Sequence, residues 1–158
     1  MLIDQALVLI DQHIAAPNHS PTPSAEPDNQ KRLVKNGRPL AVLIVEDEAL
    51  VGAVLSDAVE EFGGRVVGVV AAPTEAFGLV VERRPDVVIM DVRLKDGHDG
   101  LHAADAMRLL HRTPIVFCTG YGNPETLRRI EKFGGAECLL KPVQPMQLCD
   151  AILRACGL

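Results

Sequence analysis

Four short stretches of this sequence carry residue types that could do chemistry together. Glu46, Asp47 and Glu48 form an acidic run, Asp91 follows an apolar stretch, Thr119 precedes Gly120, and Lys141 precedes Pro142. Carboxylates from separate stretches repel one another when brought together, and a hard divalent cation with oxygen ligands relieves that repulsion. Mg²⁺ suits the task because it accepts a few carboxylates, a carbonyl and waters, and leaves room for phosphate oxygens. Lys141 would supply a fixed positive charge for a phosphate oxygen. The Thr119 hydroxyl and a backbone N–H would hold another, and Gly120 would let the phosphate approach the backbone. Asp91 is then left as a nucleophile able to form an acyl phosphate. Such catalysis is mostly positioning and charge neutralisation.

These residues can meet only if the chain places them at one edge, and the pattern from residue 40 onward does so. Residues 40–45 are a continuous apolar run of strand length, the mark of a strand buried on both faces. A helix is expected from about Ala49 to Phe62, ended by Gly63-Gly64. A second strand spans 65–70, and Thr74 is expected to cap a helix running to about Arg83. Strand 87–90 ends at Asp91, and a helix is expected over about 101–111. Strand 115–118 is followed by a helix to Phe133, with Asn123 and Pro124 at its start. Strand 137–140 precedes a last helix from Pro145 to Cys156. Five strands, each followed by a helix, imply a doubly wound parallel sheet with helices on both faces. Ligands in such sheets sit outside the carboxyl ends of the strands, where the strand order switches.

Each element alone has a bland reading. Acids at 46–48 favour a helix N-terminus, Asp91 could be a solvated loop residue, and Thr119 a turn residue. Their joint occurrence is harder to dismiss: acids follow strand one, Asp strand three, Thr strand four and Lys-Pro strand five. On these residues the chain resembles the receiver domains of two-component signalling over residues 40–157. The resemblance implies a flavodoxin-like (βα)5 fold with strand order 2-1-3-4-5 in a domain spanning 40–158. It implies Asp91 as phosphoacceptor, Thr119 as switch hydroxyl and Lys141 as the phosphate's partner. It also implies a Mg²⁺ site of Glu46, acting largely through water, with Asp47, Asp91 and the Arg93 carbonyl, and a cis Lys141–Pro142 bond.

Most receivers place an aromatic residue three positions before the Lys, where this chain has Cys138. The segment Phe117-Cys118-Thr119-Gly120-Tyr121-Gly122 is similar to a receiver branch known as FAT GUY, whose members typically lack that aromatic. The similarity implies an HWE-type histidine kinase, or a phosphotransfer protein, as donor.

Composition bounds the alternatives. The 158 residues are 47% hydrophobic and 23% charged, with a formal net charge of −5, and aromatics make up 3% without Trp. This argues against a nucleic-acid binder, which would show a basic stripe or stacking aromatics. Cys118, Cys138, Cys149 and Cys156 form no CxxC pair, so inert thiols in a reducing cytoplasm are expected. Residues 1–16 lack the basic start of a signal peptide and carry Asp4 and Asp11, so neither a leader nor a membrane span is expected. They read instead as an amphipathic helix with Ile3, Leu7, Ile10 and Ile14 on one face. Residues 17–39, with five prolines, read as a flexible linker. His98 and His102 lack a third soft ligand and read as solvated. Arg128 and Arg129 read as a solvated helix face with room for partner docking.

No DNA-binding or enzymatic domain follows Leu158 in this sequence. The reading is therefore a single-domain, non-enzymatic response regulator whose output is protein–protein, with a downstream protein partner and room for a homodimer. The competing reading is a Mg²⁺-dependent phosphohydrolase with an aspartyl nucleophile. Those enzymes want a second Asp two residues after the nucleophile, where this chain has Arg93.

Overall fold

In a computed structural model of the chain, the structure describes residues 32–120 and 122–158. The expected amphipathic helix over 2–16, the linker as far as residue 31, and Tyr121 lie outside the described residues.

Five parallel strands form the central sheet: β3 (Ala41–Val45), β4 (Arg65–Val70), β5 (Val87–Asp91), β6 (Ile115–Thr119) and β7 (Glu137–Leu140). Their spatial order is β4-β3-β5-β6-β7, which is the expected 2-1-3-4-5 order. The helices are α1 (Ala49–Glu61), α2 (Pro73–Arg83), α3 (Gly100–Leu110), α4 (Pro124–Phe133) and α5 (Pro145–Ala155). Every residue of β3, β5 and β6 is buried, as expected of central parallel strands covered on both faces.

The two faces follow from the two-residue period of a strand. Val42, Ile44, Ile89, Val116 and Cys118 pack with Leu55, Val59, Leu148 and Ile152, so α1 and α5 cover one side. Leu43, Val45, Val88, Met90, Ile115 and Phe117 pack with Val80, Ala104, Met107 and Ile130, so α2, α3 and α4 cover the other.

One helix start differs from expectation. Ala72, not Thr74, is the N-cap of α2, and Pro73 takes the first helical position, where its fixed φ and missing N–H cost nothing. Asp99 caps α3, its side chain accepting a hydrogen bond from the Leu101 N–H at 2.9 Å. Asn123 caps α4 as expected, accepting from the Thr126 N–H at 2.8 Å.

The linker does not extend to Pro39. Residues 34–39 form an antiparallel hairpin of β1 (Val34–Lys35) and β2 (Arg38–Pro39). Asn36 and Gly37 have positive φ angles of 52° and 77°, the backbone of a tight two-residue hairpin turn, which Asn-Gly favours. Leu33 is wholly buried in the α1/α5 core, and its N–H donates to the Phe62 carbonyl at 2.8 Å. Arg38 grips both oxygens of Asp86, at 2.8 and 2.7 Å, while Asp86 Oδ2 accepts the Ala41 N–H at 2.7 Å. The proline-rich composition hid two strong local signals: a Leu able to fill a core site and an Asn-Gly turn.

Leu33→Ala should therefore lower the unfolding free energy by about 2–5 kcal/mol, as for other buried Leu truncations, read by urea denaturation. Asp86 is also linked to pH. The Arg38 hydrogen bond holds its carboxyl below the ordinary value of 3.8, with the Ala41 N–H adding to the effect against partial burial. A depressed folded-state pKa gives stability that is complete above the unfolded value and lost as pH falls through the folded one. Asp86→Asn should remove that increment, leaving a shallower fall in stability on the acid side of pH 4 in acid titrations followed by circular dichroism.

Candidate phosphoacceptor and metal site

The carboxyl ends of β3, β5, β6 and β7 converge at one edge of the sheet. β3 runs directly into Glu46 and Asp47, Asp91 is the last residue of β5, Thr119 the last of β6, and Lys141 follows β7. Parallel pairing sets Asp91 opposite Cys118 and Thr119 opposite Leu140. Strands adjacent and in register must place their next residues side by side, about 4.8 Å apart.

Lys141 stands at the centre of this cluster. Its ammonium donates to Glu46 Oε2 at 2.6 Å and to Asp91 Oδ2 at 2.8 Å. Glu46 and Asp91 are both buried, so each carboxylate needs a compensating partner. Glu46 Oε1 accepts the Glu48 N–H at 3.2 Å, and Asp91 Oδ1 accepts the Arg93 N–H at 3.0 Å. Burial pushes the Glu46 carboxyl up, outweighing the hydrogen bonds from Lys141 and Glu48. Burial acts on Lys141 in the opposite sense, but its bonds to Asp91 and Glu46 prevail and hold its pKa above the ordinary value. The Lys141–Pro142 peptide is cis, and the Lys141 N–H donates to the Thr119 carbonyl at 2.9 Å.

Glu46, Asp47 and Asp91 each offer a carboxylate oxygen within 4.8 Å of the others. Three carboxylates facing the part-buried Lys141 ammonium and the exposed Lys95 ammonium leave an excess of negative charge. This is a hard, oxygen-only donor set that fits Mg²⁺ better than a thiophilic metal. Thr119 is completely buried. The structure thus brings Glu46, Asp47, Asp91, Thr119 and Lys141 to one sheet edge, with Arg93 in the loop above.

Three features went unread in the sequence. Lys95 reaches across to Asp47, with its ammonium 3.7 Å from Oδ2 and 3.4 Å from the Asp47 carbonyl oxygen. Its position four residues beyond Asp91 had no signal, because only the loop's path aims it there. Gly100 lies against the Asp91 peptide: a Cβ there would sit 1.9 Å from the Asp91 carbonyl oxygen. An Asp-Gly pair at a helix start was the available clue. Asp99 also pairs with Arg129 of α4, a tertiary contact without local signature.

His98 is exposed, as expected. Among the described residues, Glu46, Asp47 and Asp91 are the one cluster of His, Cys or acidic side chains able to hold a metal. Cys118 is buried, and burial pushes its thiol up to about 12, so it is unreactive at neutral pH. No helix among the described residues is long and apolar enough to cross a membrane.

Known proteins are similar to this chain in sequence and fold. A family model for the response regulator receiver domain matches residues 42–153. The phyllosphere-induced regulator PhyR of Methylorubrum extorquens is 35% identical over 115 residues, covering 72% of this chain and 42% of that protein. The transcriptional regulatory protein PdtaR of Mycobacterium tuberculosis is 35% identical over 114 residues, covering 72% of this chain and 55% of that protein. The chain thus spans about half the length of these curated relatives. The solution structure of the PhyR receiver domain of Erythrobacter litoralis superposes with a TM-score of 0.67 at 30% identity, over 75% of this chain and 90% of that one. Fold and site together define a two-component signalling module of the flavodoxin-like class. The chain belongs to the response regulator receiver domain family.

The close approach at Gly100 makes a direct prediction. Gly100→Ala forces backbone against backbone, so nothing flexible can yield, and should cost about 3 kcal/mol or more. Thermal unfolding of the two proteins side by side checks this.

Proposed function

We propose that this chain is a single-domain response regulator that takes a phosphoryl group from a histidine kinase onto Asp91 and signals through a protein partner. The observation that carries this reading is the Lys141 ammonium held between Asp91 Oδ2 at 2.8 Å and Glu46 Oε2 at 2.6 Å. A part-buried cation touching the acceptor carboxylate is placed to take up an oxygen of an incoming phosphoryl group. Membership of the receiver family supports the same assignment.

In the proposed transfer, an Asp91 carboxylate oxygen forms a bond to phosphorus as the bond from phosphorus to the donor imidazole nitrogen breaks. The imidazole leaves with its electron pair and takes a proton from solvent. Lys141 and the Thr119 hydroxyl each donate to a phosphoryl oxygen, and the Arg93 N–H continues to orient the Asp91 carboxyl. Glu46, Asp47, Asp91 and the Arg93 carbonyl would hold Mg²⁺, which when bound supplies the charge neutralisation that phosphoryl transfer requires. The phosphohydrolase reading is weaker, because Arg93 occupies the position where that chemistry wants an Asp.

The finer assignment rests on Phe117 to Gly122 and on Cys138. With Cys138 opposite Phe117 in the ladder, no strand-seven aromatic ring is available to follow Thr119. This supports placement in the FAT GUY branch, with an HWE-type kinase or a phosphotransfer protein as donor, in the cytoplasm. The output then leaves through the loop after Thr119 and α4, toward a partner protein or a second copy.

A small-molecule phosphodonor with Mg²⁺ should add one phosphoryl group, seen by intact mass. Chelating the metal should abolish the addition, and Asp91→Asn should block it. Labelling of the Asn variant as well as the wild type overturns the acceptor assignment. Arg93 and Tyr121 stand two residues beyond the acceptor and the switch Thr, where bulk hinders attacking water. The Arg93→Ala, Tyr121→Ala double variant should therefore lose its phosphoryl group faster in a time course of the same mass measurement.

A further inference from the structure

Helix α4 is held to the domain by a small apolar contact and by polar ones. Of its ten residues only Thr126 and Ile130 are buried, whereas the eleven residues of α3 bury five. Two arginines add to the apolar grip of Ile130 and Phe133: Arg129 from the middle of the helix and Arg108 of α3 at its carboxyl end.

At the carboxyl end, Arg108 of α3 donates to the Phe133 carbonyl at 2.8 Å and to the Gly134 carbonyl at 2.7 Å. Its guanidinium also lies 3.7 Å from the centre of the Phe133 ring. That ring stands edge-on to the buried Phe117 at 5.1 Å. Carbonyls left open at a helix C-terminus are thereby satisfied by a cation, the charge the helix dipole favours there. This end is a fixed point.

At the middle of the helix, Arg129 of α4 donates to Asp99 Oδ2. Asp99 is tied to the acceptor loop from every side. It bridges to Arg93 across a short antiparallel contact, and its Oδ1 caps α3. The next residue, Gly100, donates to the Val92 carbonyl at 2.9 Å and lies against the Asp91 carbonyl. The pair therefore joins the acceptor loop after β5 to the helix that follows the Thr119 loop. Beside it lies a cavity of about 380 Å³, lined by Leu94, Gly97, Asn123, Thr126 and Arg129 among others, into which the first turn of α4 has room to move.

We propose that the Asp99–Arg129 pair is a latch that holds the first turns of α4 against the acceptor loop at rest and opens when Asp91 is phosphorylated, with α4 pivoting on Arg108 and Phe133. This rests on the phosphoacceptor reading above and names the positioning residues of its output. Phosphorylation replaces the single charge of the Asp91 carboxylate with about −1.5 to −2 on the phosphoryl group, a net gain of at most about one negative charge, and adds strong acceptor oxygens. That charge draws the Thr119 hydroxyl, and with it the segment leading into α4, toward Asp91, while Asp99 stays bound to the acceptor peptide. The two halves of the latch are thus pulled by different loops. Two discrete arrangements of one helix, biased by a local charge, are what a phosphorylation switch requires.

Hydrogen exchange on the full chain tests the latch. At rest, Arg129→Gln and Asp99→Asn should each raise exchange in peptides covering residues 124–131 about three- to fivefold, the scale of a partly exposed charge pair. Peptides covering α5 should not change. Asn retains a side-chain oxygen for the cap, so the second variant separates latch from cap. Arg129→Lys should restore near wild-type exchange, and the double variant should be no faster than either single one. Phosphorylated wild type should match the variants, and the variants should gain nothing further on phosphorylation, a loss that a merely structural role does not produce. Resting exchange unchanged in Arg129→Gln overturns the latch, as does a phosphorylated wild type whose α4 exchanges as at rest. The intact mass of each sample shows separately whether Asp91 took the group, so failure of the acceptor reading is seen apart from failure of the latch.

Discussion

The contact between Lys141 and the carboxylates of Glu46 and Asp91 is the constraint around which this domain is arranged. Two buried carboxyl groups at the ends of neighbouring strands need a compensating partner, and a cation between them serves both. Lys141 arrives there from the far end of the sheet, two strands beyond Asp91. For its ammonium to touch both acids, β3, β5, β6 and β7 must all end at one level. The sheet register, the all-buried central strands and the turn at Pro142 serve that alignment. The same contact leaves negative charge uncompensated at the mouth, the electrostatic condition for a divalent cation and then a phosphoryl group.

Around this fixed centre the structure is unevenly held. On one face α1 and α5 pack through a continuous apolar core that the hairpin extends with Leu33. On the other, α4 rests on two buried residues and two arginine contacts. The rigid face presents the acids of β3 and Lys141 at constant geometry. The lightly held face adjoins Thr119. In the proposed reading, with Cys138 in place of an aromatic ring, a change of charge at Asp91 leaves through the loop after Thr119 and the contacts of α4.

Much of this was legible along the chain because it depends on local patterns. Apolar runs of strand length, Gly pairs after helices, Asn123-Pro124 at a helix start and a reactive residue type after four of the five strands are all short-range features. Together they place Glu46, Asp47, Asp91, Thr119 and Lys141 at one edge without any structure. The hairpin over 34–39 was misjudged for a reason of the same kind. Prolines and polar residues dominated the window, and the weight of Leu33 shows only when Phe62 and the α1/α5 core are in place. The Ala72 start of α2 was likewise a choice between two local signals, in which Pro73 outweighed the Thr74 hydroxyl.

By itself, then, the order of residues determined the βα repeat, the strands buried on both faces and the set of side chains that end at the reactive edge. Periodicity and turn chemistry act over a few residues, and handedness rules leave few ways to wind such a series. Only the tertiary structure decided which groups touch. It chose Lys141 to bridge Glu46 and Asp91, Lys95 to reach Asp47, Gly100 to lie on the Asp91 carbonyl, Arg38 to clamp Asp86 and Arg129 to hold Asp99. Each joins residues far apart in the chain or depends on how a loop is aimed. Such contacts form because packing brings two charges, or two peptides, within reach after the local elements are already made.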